Sequence, residues 1–364
     1  MQFSPYFTQN NTWSEFWKTA NSTKHDIFKL EVEVSGARVY AYVYVYPHPF
    51  NQKFLYIPRG PVIEFENSLT QSNIQDQLKL SPDVKKGLDL FWEKLSKSAL
   101  NHRVTHIKID LDYNTGKCLN IHNQTELAEY LKKYFGKKVA LTTRQIQYLS
   151  TVYLDVKDLI QLQAETDYTN IVYLQNFFDL NRPFWLQRNK SIRNTTRRSL
   201  KSDWQISNKK TREYIEAFWN LHQQTVKRQK INTFPKDYFE LLIKQDFSYL
   251  LTLSSKGEHH ASWLGISLDS SLIHLFAGNS SFSLKNFGQP LLHLSAMSLA
   301  KSLDNQIYDF GGHDPTKGYG KFKRAYHGNI IDFPGSVNVI TRPCWFYSIE
   351  FLSKIVKKIR SLKK

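Results

Sequence analysis

The chain has 364 residues, 41% hydrophobic and 14% aromatic, which exceeds the usual size of one domain and supplies apolar material for two cores. Its formal net charge of +17 directs a long-range field at anions, so nucleic acid, an anionic membrane surface and phosphorylated substrates are suitable partners. Only Cys118 and Cys344 are present, without CxxC or Cys/His ligand spacing, which argues against a disulfide framework or structural zinc and fits a reducing compartment; neither a metal nor a cofactor is expected. The opening MQFSPYFTQNNTW lacks the charged start and apolar run of a secretory signal, and no apolar run approaches the roughly 20 residues that span a bilayer. A cytoplasmic protein is expected, with any membrane contact peripheral, at the inner face.

Residues 26–34 and 37–46 are rich in alternating β-branched and aromatic residues around Ser35-Gly36 and predict a hairpin. A third strand at 54–58 ends in Pro58-Arg59-Gly60-Pro61. Over 82–100, Val84, Leu88, Phe91, Trp92, Leu95 and Leu100 fall near helical spacing, with Ser81 placed as N-cap and Pro82 in the first turn. A strand at 104–109 leads to Asp110 and Asp112, then a helix at 125–134 and a strand at 148–156 complete a mixed α/β unit. A long basic helical region spans about 184–230, followed by strands at 247–254, 260–268 and 272–277, a helix at 290–301 and a strand at 307–310. The order of strands, helix, strand and helix thus occurs twice without a literal repeat. Two α/β domains are expected, 1–158 and 159–343, with a helix at 344–364 returning to the first.

The stretch 308–328, YDFGGHDPTKGYGKFKRAYHG, places a glycine-rich bend before Phe322-Lys323. A backbone freed by glycine can approach a bulky phosphate-rich substrate, and the Lys323 cation can meet charge developing on a reacting oxygen; a glycine-rich surface turn accounts for the spacing equally well. Between Arg182 and Lys230 thirteen Lys or Arg face only Asp203, Glu213 and Glu216, a net +10. Trp185, Trp204, Phe218 and Trp219 interleave with these charges, a mixture suited to phosphate contact and base stacking, although each ring taken alone is better explained as core. Asp110 and Asp112, two apart at a strand end, point to one side and could position an amine or take its proton, but turn and cap roles are the commoner explanation. In the last segment Trp345, Ile349, Leu352, Val356 and Ile359 form one helical face among Lys354, Lys357, Lys358, Arg360, Lys363 and Lys364. That face is expected to dock on the first domain, with the terminal lysines free to touch anionic lipid. No GxSxG elbow, HExxH motif, Walker A loop or clean acetyl-CoA loop is present.

In order along the chain, Phe7-Thr8-Gln9 with Trp13, Phe16 and Lys18, the turn Leu55-Tyr56-Ile57-Pro58-Arg59-Gly60-Pro61, Ile107-Lys108-Ile109-Asp110, the segment 147–155, the arginines of 188–199, Phe218-Trp219-Asn220-Leu221 with Thr225 and Arg228, and finally Tyr308-Asp309-Phe310-Gly311-Gly312 with Phe322-Lys323 accumulate. Together they resemble the FemABX family of non-ribosomal peptidyl transferases over about 320 residues. The chain departs from the family's pattern at Tyr148, which replaces the family's proline after the glutamine, and at Phe276, near a position that often holds a tyrosine in the family. It also departs in FKRAYHG, where many members have a second Phe-Gly pair after Phe-Lys.

The resemblance implies two tandem acetyltransferase-like domains, with the C-terminal helix packed back on the first. The coiled-coil arm of some members is expected to be absent. It implies transfer of an amino acid from aminoacyl-tRNA to the stem-peptide amine of UDP-MurNAc-pentapeptide or lipid II, by a monomer. Lys323 would stabilise the developing oxyanion, Phe322 would shape the site near the tRNA acceptor end, and Asp110 would orient the amine. Lys18, Arg228, Phe276, Asp309, Gly311 and Gly312 would bind substrate, and Arg188, Arg193, Arg197 and Arg198 the tRNA. Two other functions stay open: an acyltransferase of the same fold with another donor or acceptor, and a non-catalytic RNA- or membrane-surface-binding module.

Overall fold

A computed structural model describes residues 7–21, 26–35, 37–65, 82–101, 103–142, 146, 150–161 and 167–362. The expected turn glycine Gly36, the cap Ser81, and Gln147 and Tyr148 lie outside these residues, as do the side chains of Leu100, Ile359 and the basic residues from Lys357 onward. In chain order the elements are α1 (Asn11–Ala20), β1 (Asp26–Val34), β2 (Ala37–His48), β3 (Gln52–Ile57), β4 (Val62–Phe65), α2 (Pro82–Asn101), β5 (Val104–Asp110), α3 (Tyr113–Leu119), α4 (Gln124–Phe135), β6 (Val139–Leu141) and β7 (Ser150–Asp155). There follow α5 (Ile171–Leu180), α6 (Arg182–Leu186), α7 (Lys190–Leu200), β8 (Gln205–Ser207), α8 (Arg212–Gln229), α9 (Lys236–Ile243), β9 (Ser248–Ser255), β10 (Glu258–Leu268) and β11 (Ser271–Asn279). The chain continues with α10 (Ser281–Lys285), α11 (Gly288–Ser302), β12 (Ile307–Gly312), α12 (Gly318–Arg324), β13 (Asn329–Asp332), β14 (Ser336–Ile340) and α13 (Pro343–Leu362). They form two compact units, Met1–Leu149 with Asp332–Lys364, and Ser150–Ile331.

The first unit is built on a sheet of order β1-β2-β3-β5-β14-β6, with β4 on β2. β3 and β5 run parallel, a pairing that no tight turn can make, and α2 supplies the crossover. The helical spacing read from the sequence is the face α2 buries: Val84, Leu88, Phe91, Trp92 and Leu95 pack against Leu55, Ile57, Ile107 and Ile109 of the sheet. Each such side chain contributes roughly 1.5–3 kcal/mol by leaving water. β5 is buried along its whole length, so its C-terminal end is held firmly between β3 and β14.

The second unit repeats the scheme with a sheet of order β13-β7-β12-β11-β10-β9-β8. Its parallel pair is β11 and β12, joined through α10 and α11. α11 is apolar nearly all round, with Leu291, Leu292, Leu294 and Met297 fully buried, as a helix enclosed by sheet and helices must be. Paired residues of β11 and β12 run only from Ser271/Ile307 to Ile273/Asp309, although β11 extends to Asn279 and β12 to Gly312.

Several expectations differ from this structure. The boundaries at 158 and 343 cut across the sheets: β7 pairs with β12 and belongs to the second unit, while β14 pairs with β5 and belongs to the first. A strand's own pattern shows that it is buried but not which strand it will meet. The long helical region at 184–230 is broken into α6, α7, the short edge strand β8 and α8, with Ile206 of β8 paired to Leu253 of β9. Trp185, Trp204 and Phe218 are core residues, as expected of each ring taken alone. Part of the glycine-rich bend is the helix α12, and Gly320 is required there because a Cβ would sit 1.8 Å from the Asp314 carbonyl oxygen.

α13 packs back on the first unit through Ile349 of the expected face together with Phe346, which was not on it. Phe346 and Ile349 are buried, with the Phe346 ring 4.9 Å from that of His106 on β5. Trp345, Leu352 and Val356 face solvent. No helix among the described residues is long and apolar enough to cross a membrane.

Candidate functional site

The second unit brings Asp309, Gly311, Gly312, Phe322 and Lys323 together where β12 ends and α12 begins. Gly311 has φ of +70°, and a Cβ there would lie 2.5 Å from the main-chain oxygen of His274 on β11, so only glycine lets the two strands approach at this level. The bend turns the Gly312 carbonyl toward α12, where Lys323 Nζ donates to it at 2.6 Å. Burial lowers the Lys323 ammonium to about 8, against the opposing pull of the Asp309 carboxylate.

Asp309 is itself buried, which raises its carboxyl, while its hydrogen bonds and Lys323 act in the other direction. Its Oδ1 accepts from Thr151 Oγ1 at 2.5 Å and from the Gly311 N–H at 2.7 Å. Asp309 therefore fixes the bend that carries the Gly312 carbonyl, and through it the ammonium. Two histidines complete the surroundings. Burial, with Lys323 as a second cause, brings His274 to about 3, and burial likewise holds His293 well below the usual histidine range. Tyr308 Oη accepts from Trp263 Nε1 at 3.1 Å, leaving its hydrogen for His293 Nδ1 at 2.5 Å, an arrangement that suits a neutral imidazole. The cation of this cluster is thus Lys323, opposed by Asp309.

Phe322 precedes Lys323 on α12. Its ring lies 5.4 Å from His293 and 5.5 Å from Tyr326, and it also lines a cavity of about 390 Å³ between α7, α10, α11 and α12. Ile192, Thr195, Leu284, Phe287 and Lys321 contribute to the walls, and Lys323 does not. Such a volume suits a small organic group, whose pockets run to roughly 300–1,000 Å³.

The arginines expected to bind RNA lie on or just before α7. Arg188 stacks on Phe184 at 3.8 Å and is lowered to about 10 by burial. Arg193 donates to the Leu186 carbonyl at 3.3 Å. Arg197 and Arg198 are exposed, resting beside Phe178 and Phe287 respectively. Arg198 is thereby placed beside the Phe322 cavity, because Phe287 lines it. Arg228 is tied to the end of β11, donating to Asn279 O at 3.1 Å and to Thr225 Oγ1 at 3.2 Å. Phe276 packs in an aromatic group with Phe239 at 5.0 Å and His222 at 5.7 Å.

Two expected residues belong to the first unit. Lys18, in the last turn of α1, is exposed and 4.0 Å from Asp26. Asp110 is buried and accepts from Tyr56 Oη at 2.5 Å and from Ser336 Oγ. Asp112 is the N-cap of α3, accepting from the N–H groups of Asn114 and Thr115, and burial raises it to about 6. Thr151, His274 and His293 carried no signal of their own in the sequence. Only the partner strands that fold around Asp309 and Lys323 give them a place in the site.

No family model and no curated protein sequence matches the chain. Among solved structures it is similar to a crystal structure of FemX, with a TM-score of 0.66, 17% identity, and 95% of this chain and 94% of that chain covered. The fold is shared with FemX. A tandem GNAT protein of the clavulanic acid biosynthesis pathway covers 91% of this chain and 96% of its own at 7% identity and a TM-score of 0.48. L-PGS from Bacillus licheniformis covers 98% and 99% at 10% identity and a TM-score of 0.47. Two tandem acetyltransferase-like domains therefore describe the architecture.

Proposed function

We propose that this protein is an aminoacyltransferase that moves an amino acid from aminoacyl-tRNA to the stem-peptide amine of a peptidoglycan precursor. The observation that carries this reading is the Lys323 ammonium, held at a glycine bend by the Gly312 carbonyl. Attack of an amine on the aminoacyl ester forms the C–N bond and puts negative charge on the carbonyl oxygen. Collapse then breaks the ester C–O bond and delivers the electron pair to the ribose oxygen. A fixed cation stabilises both oxygens without becoming covalently involved. With its ammonium brought to about 8, Lys323 is charged at neutral pH yet close enough to its titration to hand a proton to the departing ribose oxygen. The amine's own proton leaves to solvent or to a base on the substrate.

The cavity beside Phe322 would take the terminal nucleoside of the tRNA against an aromatic wall, and the arginines of α7 would hold the adjoining phosphates. Arg228 is assigned to the anionic part of the precursor. FemX has the same fold, which is consistent with this reading.

Transfer of labelled amino acids from a charged tRNA pool to UDP-MurNAc-pentapeptide and to lipid II tests the proposal. Wild-type protein is expected to label one of them, and Lys323→Ala to lower the single-turnover rate about 10²–10³-fold with tRNA affinity retained. Acetyl-CoA turnover without tRNA, or RNA binding with no transfer to any amine, would overturn it.

A further inference from the structure

The apolar residues of α13 divide into two sets. Phe346 and Ile349 are buried against the first unit. Tyr347, Phe351, Leu352, Ile355 and Val356, at positions i, i+4, i+5, i+8 and i+9 of the same helix, are 58%, 64%, 42%, 40% and 46% exposed. Five large apolar side chains on consecutive turns form a contiguous surface of the kind that a folded protein rarely leaves to water without a partner. Isolated exposed apolar residues elsewhere in the chain need no such account.

The charge on this segment says what that partner is. From Lys354 onward the sequence carries Lys354, Lys357, Lys358, Arg360, Lys363 and Lys364, and no acid follows Glu350. Lys354 is exposed on the helix that carries the apolar set. A second copy of this chain would bring an equal cluster of cations against the first, and their repulsion opposes pairing through this face. RNA would satisfy the cations but offers no hydrocarbon for Phe351 and Ile355. An anionic lipid surface satisfies both, with headgroup phosphates at the level of the lysines and acyl chains below them.

We infer that α13 is an interfacial helix that lays Tyr347, Phe351, Leu352, Ile355 and Val356 into an anionic membrane surface while Phe346 and Ile349 keep it fastened to the first unit. This inference does not depend on the proposed reaction. The helix lies in the interface and does not span it.

Flotation of the full-length protein with vesicles tests it. Vesicles of 30 mol% phosphatidylglycerol in phosphatidylcholine should bind the protein at least about tenfold more strongly than pure phosphatidylcholine, because each basic group near an anionic surface is worth about fivefold. Binding should weaken when salt is raised from about 0.1 to 0.5 M. The double variant Phe351→Gln/Ile355→Gln leaves the net charge unchanged and removes two exposed side chains, so it should keep the wild-type melting curve and lose about tenfold or more in vesicle binding. Lys354→Gln/Lys358→Gln should lose a similar factor on anionic vesicles and almost nothing on neutral ones. Absence of wild-type binding, or binding that both variants leave intact, overturns the inference. So does a concentration-dependent dimer that Phe351→Gln/Ile355→Gln abolishes, because a second copy would then be what covers the face.

Discussion

Both units bring an acid to the place where a parallel strand pairing runs out, Asp110 one residue past Ile109 of β5 and Asp309 at the last paired residue of β12, and the two places are finished differently. In the first unit Asp110 closes β5 with two hydroxyls, those of Tyr56 and Ser336, and Asp112 just beyond caps a helix. In the second, Asp309 holds a glycine bend instead, and the carbonyl of that bend holds a lysine. The same scaffold position is thus a structural fastening in one unit and a mount for a cation in the other. What separates them is Gly311 in a left-handed conformation and a short helix that returns Lys323 to the strand end.

The largest way to break this comparison is to fill the bend. Gly311→Ala places a Cβ 2.5 Å from a main-chain oxygen at a φ of +70°. It should cost about 2–4 kcal/mol in urea unfolding, from left-handed strain together with the displaced backbone. Transfer should fall with it, because the Gly312 carbonyl moves. Gly136 in the first unit has φ of +58° but nothing within 4 Å of its Cβ position, so Gly136→Ala should cost only about 1–2 kcal/mol and leave transfer unchanged. Equal costs at the two positions would show that the bend is no tighter than an ordinary helix end.

The scaffold was more legible than the site. Helix α2 could be read from Val84, Leu88, Phe91, Trp92 and Leu95 because burial on one face imposes a period that local sequence records. The partner of a strand is a long-range property, which is why β7 and β14 were expected on the wrong sides of their boundaries. Lys323 and Phe322 were marked by the glycine-rich bend before them, which a surface turn explains equally well, and given roles by the resemblance to the FemABX family. Asp309 was expected to touch substrate, whereas the structure surrounds it with Thr151, Gly311 and Lys323, groups separated from one another by up to 172 positions. An amphipathic stripe in α13 was legible and was expected to dock, but of its members Ile349 is buried while Trp345, Leu352 and Val356 face outward, because the docking side depends on the register of Phe346 against His106.

A smaller change sharpens the role of Asp309. Asp309→Asn keeps an oxygen for Thr151 and Gly311 and removes the negative charge that raises the Lys323 ammonium toward its usual value. Lys323 should then lose its proton at lower pH. If the protonated form is the active one, the alkaline limb of the transfer rate, set near 8 in the wild type, should move down by about one pH unit, close to tenfold in rate above both limbs. Stability gives an independent reading. Burial lowers this lysine from 10.5 to about 8, so the unfolded chain binds more protons between those values and stability rises with pH across that window. In Asp309→Asn the rise should begin at lower pH. An unchanged rate profile would mean that Asp309 shapes the bend without tuning the cation.

Of the two acids, Asp110 is expected to have the smaller effect on chemistry. Asp110→Asn leaves the Tyr56 and Ser336 hydroxyls facing an amide that can accept through only one oxygen, so one of the two buried donors loses a good partner, at a cost of about 1–3 kcal/mol. Transfer at saturating substrate should stay within about threefold of wild type, because both carboxylate oxygens are already engaged and neither is needed to charge Lys323. A loss comparable to that of Lys323→Ala would make the first strand end chemical as well.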